Sequence, residues 1–277
     1  MPVPQKNTES LLPMKLLDGR TAFVTGSSQG IGAAIAIGLA RAGANLVLHG
    51  LSKDAGSAAV IQQCEKCGVD VKFVTGDLIG NRDEAVQSVF TAAVEADNRI
   101  DLLVNNAGTY IDTDFLDMPF EIFDRTMKLN VYSYFFMTQQ FAKRWATNGT
   151  EGRVLMIGSI NGRLAEPTHA AYDTSKGAVE MMVKTLCVSL APHNIRVNGV
   201  APGLFRTPLT AGALNDDKLH DWMSLHTPNG SIPGPEVCAD AAVYLLSDAA
   251  RHVTGQMLLV DGGMSAWQQP DPPDHAS

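Results

Sequence analysis

Tyr172 and Lys176 stand four residues apart, a spacing that puts two side chains on one face of a helix, where a phenol and an ammonium can share a site. A tyrosine titrates near 10, and each unit of lowering needs about 1.4 kcal/mol of phenolate stabilisation. A neighbouring cation can supply it, so the pair suits proton exchange with a substrate oxygen. Ser159, upstream of the pair, follows the apolar run 153–157. At the carboxyl end of a strand its hydroxyl could hydrogen-bond the same oxygen. His169, three residues before Tyr172, opens a second chemistry, that of a serine hydrolase. The frame argues against it: in Gly158-Ser159-Ile160-Asn161-Gly162 the serine lies one residue out of register with a Gly-x-Ser-x-Gly elbow.

A redox chemistry needs a hydride carrier, and Thr25-Gly26-Ser27-Ser28-Gln29-Gly30-Ile31-Gly32 offers a place for one. The stretch joins a β-prone run, 21–25, to a helical one, 33–42. In that context Gly26 takes a tight turn, Gly30 lets backbone approach a pyrophosphate, and Gly32 permits close helix-strand packing. The helix N-terminus favours the phosphate charge.

Around these residues the sequence alternates between strand and helix. Strands are expected at 21–25, 46–48, 71–74, 100–104, 153–157, 196–200 and 257–260, with helices at 33–42, 54–67, 82–96, within 119–147, and at 171–190 and 236–246. Nearly continuous apolar strands separated by helices predict an α/β class fold. The layers would be three, a doubly wound, seven-stranded, mainly parallel sheet with helices on both faces. Residues 1–18 read as a flexible extension, 19–265 as one domain, 204–235 as a Gly- and Pro-rich substrate lid, and 266–277 as a disordered tail.

Composition narrows the function. A net charge of -8 argues against nucleic acid or an anionic membrane as partner. No apolar stretch reaches the ~20 residues of a membrane span and no signal-peptide core opens the chain, so the expected location is cytoplasmic. Cys64 and Cys67 lack a matching second pair of ligands, and read as reduced thiols on a helix with no metal site.

With Asn105-Asn106-Ala107-Gly108 after the fourth strand, Asn130 in the long helix, Tyr172-x3-Lys176, and Pro202-Gly203 with Thr207 beyond the sixth strand, the chain resembles the short-chain dehydrogenase/reductase family from about Gly19 to Gly263. The resemblance implies a Rossmann fold and an NAD(P)-dependent oxidoreductase that interconverts a secondary alcohol and a ketone. It implies a catalytic set of Asn130, Ser159, Tyr172 and Lys176, with Asn130 holding a water that links Lys176 to solvent. The cofactor would touch Gly26, Ser28, Gln29, Gly30, Ile31 and Gly32, then Asn106, Ala107, Gly108, Pro202, Gly203 and Thr207, besides Tyr172 and Lys176. Asp77 and Leu78 would meet the adenine. Gly50 and Leu51 occupy the places where relatives carry an Asp for NAD or an Arg for NADP. Ser52 and Lys53 can still meet a phosphate, a slight lean to NADP over NAD. Substrate would sit among Ser159, Asn161, His169, Tyr172 and Leu204, beside Tyr110. Few basic residues line that side, which favours a neutral sugar, polyol or small ketone. A homotetramer is implied through the helices at 119–147 and 171–190, with Phe135, Phe136, Met181 and Met182 in the interface or the core. The alternative is a dinucleotide-binding sensor or assembly module, against which the intact Ser159, Tyr172 and Lys176 set argues.

Overall fold

The computed structural model describes residues 15–80, 82–208 and 210–267. In chain order the elements are β1 (Thr21–Val24), α1 (Gly30–Arg41), β2 (Asn45–Gly50), α2 (Ala55–Glu65), β3 (Val71–Thr75), α3 (Arg82–Ala96), β4 (Leu102–Asn105), α4 (Phe120–Met127), α5 (Ser133–Asn148), β5 (Arg153–Ile157), α6 (Ala170–Leu190), β6 (Arg196–Pro202), α7 (Ala211–Leu214), α8 (Asp217–Leu225), α9 (Val237–Leu246) and β7 (Met257–Val260). The strands form one sheet in the order β3-β2-β1-β4-β5-β6-β7. Every pairing is parallel. Because the chain crosses from β3 back to β4 beside β1, the order reverses there, and such a switch point opens a crevice at the carboxyl ends of the strands.

The apolar runs are continuous because both faces are covered. Every residue of β1, β4 and β5 is buried. One face packs Ile35 and Leu39 of α1 with Val243 and Leu246 of α9, while the other packs Val89 of α3, Phe141 and Trp145 of α5, and Val179 and Val183 of α6. Helices α1 and α9 cross closely at Gly38, where a Cβ would lie 2.6 Å from that of Ala239.

Four expectations change. The helix placed at 33–42 begins at Gly30, inside the glycine turn. The long helix within 119–147 is interrupted between α4 and α5 by a π-helical turn, Lys128–Tyr132, which holds Asn130. The fold starts before Gly19: Leu17 is fully buried and its N–H donates to the Ala42 carbonyl at 2.9 Å. The helix at 54–67 ends at Glu65, which leaves Cys67 beyond it, and both thiols are free. The first fourteen residues of the expected extension, and the expected tail from 268 on, lie outside the described residues.

The segment 204–235 carries α7 and α8, and its two ends are tied by Arg206, whose N–H donates to the Pro233 carbonyl at 2.9 Å and whose Nε donates to that of Ile232 at 3.1 Å. Phe135 and Met181 are exposed, whereas Met182 is core and Phe136 packs against it. Among the described residues no helix is long and apolar enough to cross a membrane. No group of three or more His, Cys, Asp or Glu among them is arranged to hold a metal ion.

Candidate active site

The crevice at the strand ends is a cleft of about 560 Å³, within the usual range for cofactor sites. At one end lies the glycine turn. Gly26 and Gly30 have φ of +62° and +58°, backbone that side-chain-bearing residues rarely adopt. A Cβ at Gly26 would come within 2.8 Å of the Ala107 Cα, and one at Gly32 would overlap Asn106 Nδ2 and the Gly26 carbonyl oxygen. Asn106 holds the turn in place: its Nδ2 donates to the carbonyls of Thr25 and Gly26, both at 2.9 Å. Gln29 caps α1 without a side-chain hydrogen bond, and no acidic residue sits in the first turn. The orphan N–H groups and positive dipole end of α1 therefore meet the cleft uncompensated, which fits a dinucleotide's pyrophosphate.

Ser28, Gln29, Gly30, Ile31, Gly32, Gly50, Leu51, Ser52, Asp77, Leu78, Asn106, Ala107, Gly108, Pro202, Gly203 and Thr207 all line this cleft, with Gly26, Ser159, Tyr172 and Lys176. Lys53, Asn130, Asn161, His169 and Leu204 do not. Asp54, not anticipated as a site residue, lines it where Lys53 was expected. Its carboxylate caps α2 by accepting from the Ser57 N–H at 2.8 Å. From the lid, Phe205, Pro208 and Thr210 line the cleft in the place expected of Leu204.

Arg125 and His49 are among the further lining residues that escape sequence reasoning. Arg125 reaches the cleft from an exposed position on α4. His49, at the end of β2, is buried and braces the turn: its Nδ1 accepts from the Gly26 N–H at 3.3 Å, and its Nε2 lies 3.1 Å from the Gly76 carbonyl. Burial outweighs that carbonyl and Asp77 and lowers the imidazole pKa to about 4. The only trace in the sequence is one polar residue closing an apolar strand.

At the other end, the second turn of α6 brings Lys176 against the end of β5. Its Nζ donates to the Ile157 carbonyl at 2.9 Å and lies 5.5 Å from the centre of the Tyr172 ring. Burial lowers the amine pKa to about 8. Burial likewise pushes the Tyr172 phenol up, opposed by a hydrogen bond with Ser159 and reinforced by the charges of Asp173 and Glu166. In the protein alone desolvation therefore dominates the expected lowering by Lys176, and Tyr172 is kept as a phenol.

Asn130 is fully buried. Its Oδ1 accepts from the Thr109 N–H at 2.8 Å, and its Nδ2 donates to the Thr109 carbonyl at 2.9 Å and to Ser175 Oγ at 3.0 Å. Both amide N–H groups are thus engaged, and the side chain braces the segment after β4 against α6. Asn161 and His169 form a layer behind Ser159 and Tyr172. Asn161 donates its backbone N–H to Ser159 Oγ at 3.1 Å. His169 Nε2 lies 2.8 Å from the Tyr110 hydroxyl, and the Tyr110 ring packs edge-on to Tyr172 at 5.5 Å.

A family model described as enoyl-(acyl carrier protein) reductase matches residues 26–265. An L-rhamnose 1-dehydrogenase (NAD(P)(+)) of Sphingomonas sp. strain SKA58 is 35% identical over 251 residues, 91% of this chain and 98% of that protein. The gluconate 5-dehydrogenase of Gluconobacter oxydans strain 621H is 36% identical over 250 residues, 90% of this chain and 96% of the other. The solved structure of a gluconate 5-dehydrogenase from Burkholderia cenocepacia J2315, in complex with NADP and tartrate, superposes with a TM-score of 0.83 at 32% identity, covering 91% of this chain and 97% of that one. Likeness at this identity over nearly the whole length fixes the assignment: the chain belongs to the short-chain dehydrogenase/reductase family, and is an NAD(P)-dependent oxidoreductase acting on CH–OH groups.

Proposed function

We propose that the protein interconverts a hydroxyl and a carbonyl group on a small neutral sugar or polyol, with Tyr172 as the proton-exchanging group. The observation that carries this reading is the juxtaposition at one end of the cleft. Ser159 and Tyr172 both line that end, and Tyr172 lies beside the Lys176 amine, across the cleft from the uncapped start of α1. Bound NAD(P) supplies or accepts the hydride. For carbonyl reduction, the phenol of Tyr172 delivers a proton to the substrate oxygen while Ser159 orients that oxygen. For alcohol oxidation Tyr172 must first lose its proton, which an ammonium on Lys176 favours. Asn130 acts behind them by fixing Thr109 and Ser175, whose Oγ donates to the Tyr172 carbonyl at 2.6 Å.

Charge supports a neutral substrate. Asp112, Glu166 and Asp173 surround His169 just behind the reacting residues, and Arg163 is engaged by Glu180 at 2.8 Å. A carboxylated substrate would meet like charge there. The proposal includes a lean to NADP, since Ser52 lines the cleft and neither Gly50 nor Leu51 brings a carboxylate. It further includes a cytoplasmic homotetramer using the α5 and α6 faces that bear Phe135 and Met181.

The test is turnover of purified protein with NADP and with NAD on neutral aldoses and polyols beside aldonates, followed by nicotinamide absorbance. Neutral substrates with NADP should be fastest. Faster turnover of gluconate overturns the substrate class, and cofactor binding without any turnover restores the sensor reading.

A further inference from the structure

The loop after β5 lies along one stripe of α6. Their backbones meet at Gly162, where a Cβ would sit 2.9 Å from the Lys176 carbonyl oxygen. One turn nearer the start of α6, Asp173 grips the same loop with both carboxylate oxygens. Oδ1 accepts from Asn161 Nδ2 at 3.0 Å and Oδ2 accepts from the Glu166 N–H at 3.0 Å. Asn161 Nδ2 also donates to Glu166 Oε1 at 3.0 Å and lies 3.2 Å from His169 Nδ1. The backbone N–H of that same Asn161 donates to Ser159 Oγ. One carboxylate, adjacent in sequence to Tyr172, therefore joins the loop carrying the hydroxyl to the helix carrying the phenol. It is mostly buried, and its only ion-pair partner among the described residues is His169, at 3.9 Å.

We propose that Asp173 is a positioning residue of the reaction: it clamps Ser159 against Tyr172 through Asn161. This rests on the reading of Tyr172 as the proton-exchanging group. The other groups facing Tyr172 are accounted for: Lys176 from its own helix, Ser159 and Glu166 from the loop after β5, His169 before α6, Tyr110 from the segment after β4 with Asp112 behind it, and Tyr134 from α5. Asp173 and Glu166 are the anions whose charges bear on the phenol, both raising its pKa. The carboxylate does not line the cleft, so its influence passes through Asn161 and through space.

Two variants separate clamp from charge. Asp173→Asn keeps an acceptor for Asn161 but removes the charge and the acceptor for the Glu166 N–H, whereas Asp173→Ala removes all three. In alcohol oxidation the rate rises as Tyr172 loses its proton. Asp173→Asn should therefore move that limb of the pH profile to lower pH, with kcat retained within about threefold. Asp173→Ala should lower kcat about tenfold or more, through misplacement of the hydroxyl, with NADPH affinity by fluorescence unchanged. Tyr172→Phe is measured alongside. An active Tyr172→Phe overturns the reading of Tyr172 itself. An inactive Tyr172→Phe beside Asp173 variants with wild-type kcat and pH limb overturns the positioning role alone. A kcat loss that only tracks the melting temperature or NADPH affinity overturns it as well.

Discussion

Replacing His49 with asparagine should flatten the acid side of the stability curve. The ring is buried at 3% exposure. It accepts from the Gly26 N–H, so the neutral tautomer that donates from Nε2 to the Gly76 carbonyl completes the bridge. Its pKa is lowered from 6.5 to about 4. An unfolded chain takes up this proton near 6.5 and the folded chain only near 4. Between those values the unfolded state binds more protons, and stability falls as pH falls. The difference amounts to about 3 kcal/mol at most, fully present above the unfolded pKa and exhausted below the folded one. Protonated Nδ1 also cannot accept from Gly26, so the cofactor turn loosens over the same window. Urea unfolding at a series of pH values, with NADPH affinity measured in parallel, should show the wild type losing stability in that window. His49→Asn should show a shallower slope whatever its absolute stability. Parallel slopes would refute the assignment.

Three other perturbations follow from the same geometry. Gly32→Ala would displace Asn106 from two carbonyls; a loss of roughly 2–3 kcal/mol in urea and at least tenfold weaker NADPH binding are expected. Asn130→Ala removes three hydrogen bonds and orphans the Thr109 N–H, so about 3 kcal/mol should be lost and kcat should drop more than NADPH affinity. Lys176→Met removes a buried amine whose folded pKa is lowered to about 8. The wild type should gain stability as pH rises from that value towards 10.5, because its folded state releases the proton first. The variant should lack that rise, and its oxidation kcat should fall about 100-fold or more.

What was legible in the sequence was what short-range spacing encodes. Tyr172 and Lys176 share a helix face because they are four apart, and the glycine turn shows in one uninterrupted octet with a strand before it and a helix after. Alternating apolar runs gave the sheet because each strand is covered on both faces. Features set by distant partners were not legible. His49 finds Gly26 and Gly76 only once β1, β2 and β3 are side by side. Arg125 reaches the cleft only because α4 crosses its rim. A π-helical turn widens the helix around Asn130 without altering the hydrophobic pattern, so one long helix was the natural expectation. Asn161 and His169 lie near Tyr172 as their spacing implies, but Glu166, Asp173 and Tyr110 draw their polar atoms away from the cleft. Leu17 looked like part of a polar extension because one buried leucine in a short segment has no periodicity to announce it.

The central claim is that Tyr172 exchanges the proton, and the most direct measurement is single-turnover kinetics of Tyr172→Phe with NADPH and a reducible sugar-derived ketone, beside NADPH titration by fluorescence. Phenylalanine keeps the ring that packs on Tyr110 and under Lys176 and removes only the hydroxyl. The account predicts NADPH affinity within about twofold of wild type and a hydride-transfer rate lower by about a thousandfold or more. A rate within tenfold of wild type, with the cofactor bound, would contradict it.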